Sequence, residues 1–421
     1  MAASMKTIFV CVLLGVAFGS SAMSAPDTLR VNLRQADSLF VTHNYYLLAS
    51  SMNIEASRAQ VLQAKLFVNP IFTADLNAYD PQNEKAFHVG STGQKSFQLE
   101  QLILLGGKRK SQIDLAKTDV AIAELEFQNL ARQLKFKLHT KLAEIGQQQV
   151  LLKKYDAQLS LLDTIIVANE KQVVKGNVPL KDLVRLKGVY LNLNNDRAEL
   201  LHEFFDAQAV VQTLLQTQDL VEFGFSDEDI AARIKDTNLD ELKAEAIANH
   251  PELLIIKQNK IQAEQWLNYQ HKLAIPDINL FASYDQRGGA FLNQVNAGIS
   301  IPLPLWNRNQ GNVKSSEYHL REMTYNLQAM QQQKLSELQN NFALYRQTVS
   351  EYNKASRLYN ADFEVTVRGM FDNFQKRNVS LIEFVDFFES YNLVLAELAR
   401  MKTQLVSSAE LLNLSIGKDI F

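Results

Sequence analysis

Three carboxylates lie within or just after a motif that the chain contains twice. The segment 175–184 recurs at 376–385, 201 positions later, and Asp182 in the first copy corresponds to Glu383 in the second. Asp386 follows three residues after Glu383. Carboxylates gathered at one point attract cations and disfavour anions, so these acids are candidates for an entrance gate. Acids are also favoured at the start of any helix, so a purely local role stays open.

The repeated motif itself has the composition of a tight turn between two helices. Glycine and asparagine favour turns, and apolar residues at heptad spacing precede and follow each copy. Arg377 stands where the first copy has Gly176, so the detailed geometry of the second turn is expected to differ. The candidate tip residues are Lys175, Gly176, Asn177, Val178 and Leu180 in the first copy and Lys376, Arg377, Asn378, Val379 and Leu381 in the second.

Residue types that serve catalysis or metal binding form no recognisable pattern. The seven histidines are scattered without the paired spacing of a zinc site, and no glycine-rich phosphate loop follows a strand. Methionine is unclustered as well. We therefore expect no enzymatic activity, no cofactor and no bound metal ion.

The N-terminal segment 1–25 has the order of a secretory signal. Lys6 precedes an apolar run at 8–18, and small residues follow it. The only cysteine, Cys11, lies inside this segment, so the mature chain is expected to contain neither disulfides nor cysteine ligands. Lys and Arg number 43 against 46 Asp and Glu, a balance that does not predict a nucleic-acid partner.

Prolines predict where long helices can run. All eight lie outside 82–178 and 305–421, so neither interval contains a helix breaker. Apolar residues recur there in steps of three and four, beginning at Ile113 and at Leu335. Each interval predicts a helix of roughly 65 residues, which is on the order of 100 Å long.

Four shorter segments alternate apolar and polar residues, which is typical of strands. They lie at about 70–80, 95–105, 276–286 and 294–303. Strands of this length can cross a bilayer, and no run of ~18 apolar residues for a membrane helix follows the signal segment. Because four strands cannot close a barrel and open edges are not tolerated in lipid, several copies must contribute.

Together these elements predict two similar halves. A first repeat at 26–216 ends in a helical hairpin at 107–216, and a second repeat at 238–421 contains a hairpin at 311–416. The segment 217–237 belongs to neither repeat and is expected to link them near the middle of the helices. The predicted fold class is mainly α with a membrane β-barrel, built from duplicated halves.

A secreted, duplicated chain with one strand hairpin and one very long helical hairpin per half resembles the TolC family of outer-membrane efflux ducts. The resemblance covers essentially the whole mature chain. It implies a homotrimer in outer-membrane lipid of a Gram-negative bacterium, with a twelve-stranded barrel that continues into a periplasmic tunnel of helices.

The segments that connect a strand to the following long helix, called corners here, make this resemblance more specific. The segment 301–311 is similar to the corresponding stretch of the heavy-metal branch of the family, and 105–109 is its counterpart in the first half. Paired prolines end sheet pairing, and Gly and Asn permit a turn into the helix. The corner residues are Gly106, Gly107, Pro302, Pro304, Asn307 and Gly311.

The resemblance also implies partners. The hairpin tips would dock a periplasmic adaptor protein or an inner-membrane RND-type pump, and three copies of Glu383 and Asp386 would narrow a closed entrance. The chain would be a passive exit duct, with metal cations as its cargo.

Other functions stay open from the sequence. The cargo could instead be drugs, dyes or proteins secreted by a type I system. In a different class, a soluble periplasmic coiled-coil adaptor or scaffold would keep the helical hairpins but would not need strands of bilayer length.

Overall fold

In a computed structural model, the described residues are 27–288, 290–359 and 361–421, with the side chains of 361, 362 and 364 left aside. The predicted signal segment lies outside these residues. Helices dominate, so the mainly α prediction is confirmed. None of the described helices has a stretch both long and apolar enough to cross a membrane.

The described residues form helices α1 to α10 and strands β1 to β8, numbered in chain order. The helices are α1 (Leu33–His43), α2 (Tyr45–Lys65), α3 (Lys108–Val174), α4 (Leu180–Leu215), α5 (Asp227–Ala231), α6 (Leu239–Asn249), α7 (Pro251–Leu273), α8 (Gln310–Leu358), α9 (Ala361–Gln375) and α10 (Leu381–Ile416). The strands are β1 (Thr28–Val31), β2 (Ile71–Leu76), β3 (Tyr79–Asp80), β4 (Lys85–Ala86), β5 (Gln94–Ile103), β6 (Leu220–Phe223), β7 (Ile278–Arg287) and β8 (Phe291–Ser300).

The first helical hairpin consists of α3 and α4. Helix α3 runs for 67 residues without a break, and no proline lies within it. It ends at Val174, and Pro179 precedes the first residue of α4. Proline suits this position for two reasons. It disfavours a helical conformation in the residue before it, and its fixed φ is compatible with the start of a helix.

The second hairpin differs from the prediction of one uninterrupted outgoing helix, which is wrong. Helix α8 ends at Leu358, where Tyr359 is extended (φ −93°, ψ 96°), and α9 resumes at Ala361. The Tyr359 ring packs 4.9 Å from Phe363, which lies 6.0 Å from Tyr391 of α10. The apolar periodicity continues across the break because aromatic rings on both sides still pack toward α10.

Four of the strands form one antiparallel sheet in the order β2-β5-β7-β8. Strands β2 and β5 pair with each other, as do β7 and β8, and β5 pairs with β7 along its whole length. The last pairing joins the two halves of the chain into one sheet. Strands β2 and β8 are the edges, and neither has a further partner within the described part of the chain.

In the described part of the chain, three apolar cores run along the helices. One lies at the hairpin tips and unites α3, α4, α9 and α10 around the buried rings of Phe384 and Phe388. The second lies at mid-length of the first hairpin and includes β6, which pairs in parallel with β1. The third packs α6 against α8 and α10 around Tyr345. The 217–237 segment therefore contributes β6 and α5 to the mid-length region.

Candidate functional site at the hairpin tips

The first tip is a tight turn between α3 and α4. The Gly176 amide donates to the carbonyl of Val173 (2.9 Å), and the Asn177 amide donates to that of Gln172 (2.9 Å). The Asn177 side chain adds a bond to Gln172 Oε1 (2.9 Å). Gly176 has φ +73°, a left-handed conformation that glycine adopts without strain.

The second tip repeats the same turn with different residues. The Arg377 amide donates to Phe374 O (3.0 Å), and the Asn378 amide donates to Asn373 O (2.9 Å). Asn378 Nδ2 also bonds Asn373 Oδ1 (3.2 Å). Arg377 has φ +62°, so an arginine occupies the left-handed position at a cost of about 1–2 kcal/mol. The expected difference in backbone geometry between the tips is therefore not present.

The two returning helices begin differently. The Ser380 hydroxyl accepts a bond from the Glu383 amide (3.3 Å), and Glu383 Oε2 accepts from the Ser380 amide (2.9 Å) and hydroxyl (2.7 Å). This reciprocal capping box starts α10. At the corresponding place, Pro179 starts α4 without any side-chain cap.

The candidate gate acids consequently have unequal freedom. Hydrogen bonds from the Ser380 hydroxyl and backbone lower the pKa of Glu383, and the same bonds hold its carboxylate against its own helix. Asp386 is exposed one turn further along α10, and Asp182 is half-buried in the first turn of α4. The local capping role that the sequence left open thus accounts for Glu383.

Both tips lie at the same end of the helices. Val173 of the first tip and Val379 and Leu381 of the second pack against the shared core at the tips. Several apolar side chains nevertheless stay exposed, notably Val174 (89%) and Leu180 (64%) at the first tip. The remaining tip residues Lys175, Lys376 and Arg377 are exposed, whereas Val178 is half-buried.

The strand-to-helix corners use left-handed residues as well. Gly107 (φ +74°) precedes α3, and Asn309 (φ +61°) precedes α8. Gly106 also has a positive φ, and a Cβ there would lie 2.6 Å from the Ile275 side chain. Among the predicted corner residues, Gly311 lies within the first turn of α8, so Asn309 rather than Gly311 makes this turn.

Side chains tie each corner to the end of α7 and the strand that follows it. Lys108 Nζ lies 2.7 Å from Asp277 Oδ1, which also accepts from the Leu105 amide (2.9 Å). On the other side, Asn309 Nδ2 donates to Gln270 O (2.7 Å). Asn307 Oδ1 accepts from the Asn309 amide (3.0 Å), and Pro302 and Pro304 lie in the extended segment after β8.

In the part of the sheet that contains residues 72–75 of β2, one face is apolar and the other is polar. Its pairing aligns Phe72, Leu99, Ala282 and Ala297 in one row, and an adjacent row is Ala74, Phe97, Tyr284 and Val295. These side chains share a face because side chains alternate along a strand. Val295 is 75% exposed and Phe72 is 65% exposed. The rows between them hold polar side chains, namely Thr73, Gln98, Ser283 and Asn296, and then Asp75, Ser96, Asp285 and Gln294.

A buried ionic network at mid-length was not anticipated from the sequence. His139 Nε2 lies 2.7 Å from Asp37 Oδ1, and Arg233 lies 3.0 Å from Glu410 Oε1. His139 Nδ1 is 3.1 Å from that same Glu410 oxygen but makes no well-aligned hydrogen bond, so this contact is mainly electrostatic. The network joins α1 and α3 of the first half to α10 of the second. Its four members are far apart in sequence and carry no common spacing.

Opposing effects determine the charge of His139. Burial lowers its pKa, but the hydrogen bond to Asp37 and the negative charges of Asp37 and Glu410 outweigh burial and raise the pKa to about 8. The imidazole is therefore largely protonated near neutral pH. Within the described ranges, no group of three or more His, Cys, Asp or Glu side chains has the arrangement of a metal site.

Comparison with known proteins gives one curated relative and several solved structures. No family model matches the chain. The cobalt-zinc-cadmium resistance protein CzcC of Cupriavidus metallidurans is 21% identical over 288 residues. This match covers 68% of the present chain and 66%, just under two thirds, of the relative.

Similarity to the solved structures extends further along the chain. The crystal structure of CusC, described in terms of transmembrane channel formation, superposes with a TM-score of 0.74 at 16% identity and covers 94% of this chain and 96% of that one. The outer-membrane channel OprN superposes with a TM-score of 0.70 at 14% identity, covering 91% and 89%. These likenesses establish the fold, and the resemblance predicted from the motifs is confirmed at that level.

Proposed function

We propose that this chain, which has the fold of the outer-membrane channels, is the exit duct of a tripartite efflux system in the outer membrane of a Gram-negative bacterium. It acts as a passive channel rather than as an enzyme. An inner-membrane pump of the RND type supplies the energy, and a periplasmic adaptor protein bridges the pump to the duct. The observation that carries this proposal is the sheet with one apolar face and two open edges, attached to long helical hairpins.

The apolar face and the open edges support a barrel made from three copies. An apolar face of exposed side chains suits lipid, and the polar face suits a water-filled interior. Strand β8 of one copy would pair with β2 of the next, because unpaired backbone groups are not tolerated in lipid. Three copies of the four-stranded sheet would give twelve strands. A soluble coiled-coil scaffold offers no explanation for an exposed apolar sheet face.

The internal duplication is part of the same proposal. The repeats at 26–216 and 238–421 would each supply two strands and one helical hairpin, with 217–237 between them. Matching left-handed residues support the correspondence, since Gly107 and Asn309 precede the long helices and Gly176 and Arg377 form the tips. The two repeats would then alternate around a trimer and present six tips at one end.

Metal cations are the proposed cargo. The curated relative is a cobalt-zinc-cadmium resistance protein, and the chain's corner segment 301–311 is similar to the same branch. A strain that lacks the gene should become more sensitive to cobalt, zinc or cadmium and should recover when the gene is restored. Sensitivity confined to dyes, detergents or secreted proteins would contradict the metal assignment.

Assembly can be tested with engineered cysteines, because the only native cysteine lies in the signal segment. Asp75→Cys in edge strand β2 combined with Asn296→Cys in edge strand β8 should form disulfides between copies, yielding dimers and trimers but no larger species. Gln98→Cys in the central strand β5, again with Asn296→Cys, is the matched control and should not link copies. Release of the protein from envelopes by carbonate would contradict the barrel.

The tips would dock the adaptor or pump, and the free acids would form the entrance gate. Asp386 is the stronger gate candidate because Glu383 is held in the capping box. In planar bilayers, Asp386→Asn should weaken block by divalent cations or raise conductance, whereas Glu383→Gln should alter helix capping first. Unchanged currents for Asp182→Asn, Glu383→Gln and Asp386→Asn together, in a folded trimer, would remove the gate.

A further inference from the structure

A groove lies between α3, α4 and α10, above the core at the tips. Its volume is about 1090 Å³, which is large enough for an organic molecule. Buried apolar side chains, including Leu151, Leu193 and Phe388, line its floor, and the ring of Tyr155 lies beside them. The groove is thus apolar at its base.

One wall of the groove is strongly acidic. Along α4, Asp196, Glu199, Glu203 and Asp206 follow one another in steps of three and four, and all of them line the groove. Residues with this spacing share one helix face, so we call them the acidic stripe. At ~1.5 Å per residue the acidic stripe extends for roughly 15 Å. Glu389 of α10 faces it from the opposite wall.

Cations within the groove do not balance the acidic stripe. Lys141 lies 2.5 Å from Glu144, and Arg400 pairs with Glu397 of its own helix. Among the described residues, no ion pair engages Asp196, Glu199 or Glu203. Burial, together with the charge of Glu199, raises the pKa of Asp196, the effect expected of carboxylates without counter-charges.

Two amide oxygens in the groove also lack donors. Asn392 of α10 is only 8% exposed and lines the groove, yet its Oδ1 accepts no hydrogen bond within the described structure. Gln148 Oε1 on α3 is also buried and also accepts no hydrogen bond there. Buried acceptors without partners are costly, so these oxygens favour a ligand that brings N–H donors or positive charge.

We propose that this groove binds amphipathic organic cations, such as aromatic amines or quaternary ammonium compounds. The apolar floor and the Tyr155 ring take the hydrophobic body, and the acidic stripe with the two amide oxygens takes the cationic or N–H-donating end. Inorganic cations fit less well, because the described residues contain no cluster with metal-ligand geometry. This site goes beyond the proposed duct function and does not depend on it.

Equilibrium binding of ethidium to the purified full-length protein tests the proposal through the fluorescence of the dye. Asp196→Asn, Glu199→Gln and Glu203→Gln together should weaken ethidium binding by about tenfold, since each partly exposed charge contributes modestly. Asn392→Leu keeps the shape of the side chain but removes the carbonyl oxygen, and it should weaken binding severalfold. Tetraphenylphosphonium should compete with the dye.

A matched variant controls for total charge. Asp163→Asn, Glu228→Gln and Glu241→Gln also remove three exposed negative charges, but none of these residues lines the groove. Ethidium affinity should stay within about twofold of the parent in this variant. Unchanged thermal melting of both triple variants would show that folding is preserved.

Three results would overturn the assignment. Equal losses in the two triple variants would indicate attraction by net charge alone. Displacement of ethidium by Zn²⁺ at lower concentrations than by tetraphenylphosphonium would indicate an inorganic cation site. Equally tight, stripe-independent binding of the neutral dye Nile red would indicate simple hydrophobic partition. All of these measurements use isolated protein, so failure of the duct proposal leaves their outcome unaffected.

Discussion

The two hairpin tips have the same backbone turn but hold it with different side chains. At the first tip a glycine takes the left-handed position and the returning helix has no side-chain cap. At the second tip an arginine takes that position, a capping box starts the helix, and aromatic rings fill the interior. The Phe374 and Phe384 rings stack 4.2 Å apart there.

A residue in a strained conformation is tolerated where the contacts around it are stabilising. The capping box and the aromatic cluster stabilise the second tip and offset the strain at Arg377. The first tip needs no such support because Gly176 is unstrained. We therefore expect the first tip to open more readily than the second.

The largest expected effect comes from the aromatic cluster. Phe384→Ala should destabilise the second tip by about 3–5 kcal/mol, because the ring is fully buried and lies 4.2 to 5.8 Å from Phe371, Phe374 and Phe388. Leu183→Ala is the matched change at the first tip and should cost less. Amide hydrogen exchange at each tip measures both, and an equal or larger loss for Leu183→Ala would contradict the comparison.

The stability of the mid-length region should depend on pH near neutrality, whereas that of the two tips should not. The folded-state pKa of His139 is about 8, above its ordinary 6.5, so its stabilising contribution is complete below pH 6.5 and lost as the pH rises through 8. Stability should fall by on the order of 2 kcal/mol over this range. Calorimetry should show this slope in the parent and in Ser380→Ala, but not in His139→Gln. A parent protein without the slope would refute the charged network.

Substitution of the residue in the left-handed conformation should change the stability of each tip by a smaller amount. The change should have opposite signs at the two tips. Gly176→Ala should destabilise the first tip by about 1–2 kcal/mol, because an L side chain at φ +73° is strained. Arg377→Gly relieves the same strain at the second tip and should be neutral or stabilising. Hydrogen exchange of the adjacent helix ends distinguishes the two, and parallel losses would show that Arg377 makes contacts of its own.

Loss of the cap should have the smallest effect. Ser380→Ala should destabilise the start of α10 by about 1 kcal/mol, whereas Pro179→Ala at the uncapped tip should leave capping unchanged. The lowered pKa of Glu383 means that its contribution is present above the ordinary value of 4.5 and is lost as the pH falls through the lower folded value. Protection of α10 that survives acid unchanged would count against the capping box.

Much of the fold followed from local pattern. Proline positions and heptad spacing predicted the long helices, and two-residue alternation predicted strands in the four segments where the structure has them. The break at Tyr359 was not predicted, because the apolar periodicity continues on both sides of it. Asn309 was not predicted as the corner residue before α8. Glycine is the residue most expected in a left-handed conformation, and Gly311 lies two residues further along the chain.

The candidate sites were less accessible to sequence reasoning. The repeated motif located both tips, but it could not show that Ser380 holds Glu383 while Asp386 stays free. The acidic stripe is visible as a spacing along α4, although a solvated helix face has the same pattern. Asn392 acquires meaning only because its oxygen is buried in the wall of a groove without a donor.

Local chemistry alone accounts for the turns, the positions of the helical segments and the alternation of the strands, because these depend on residues close together in the chain. Tertiary packing decides which distant segments meet. It pairs β5 with β7 across the two halves and places His139 between Asp37 and Glu410. It also opens a groove between α4 and α10, two helices whose sequences contain nothing that brings them side by side. Such contacts depend on burial and on the energy of charges away from water, which no short stretch of sequence contains.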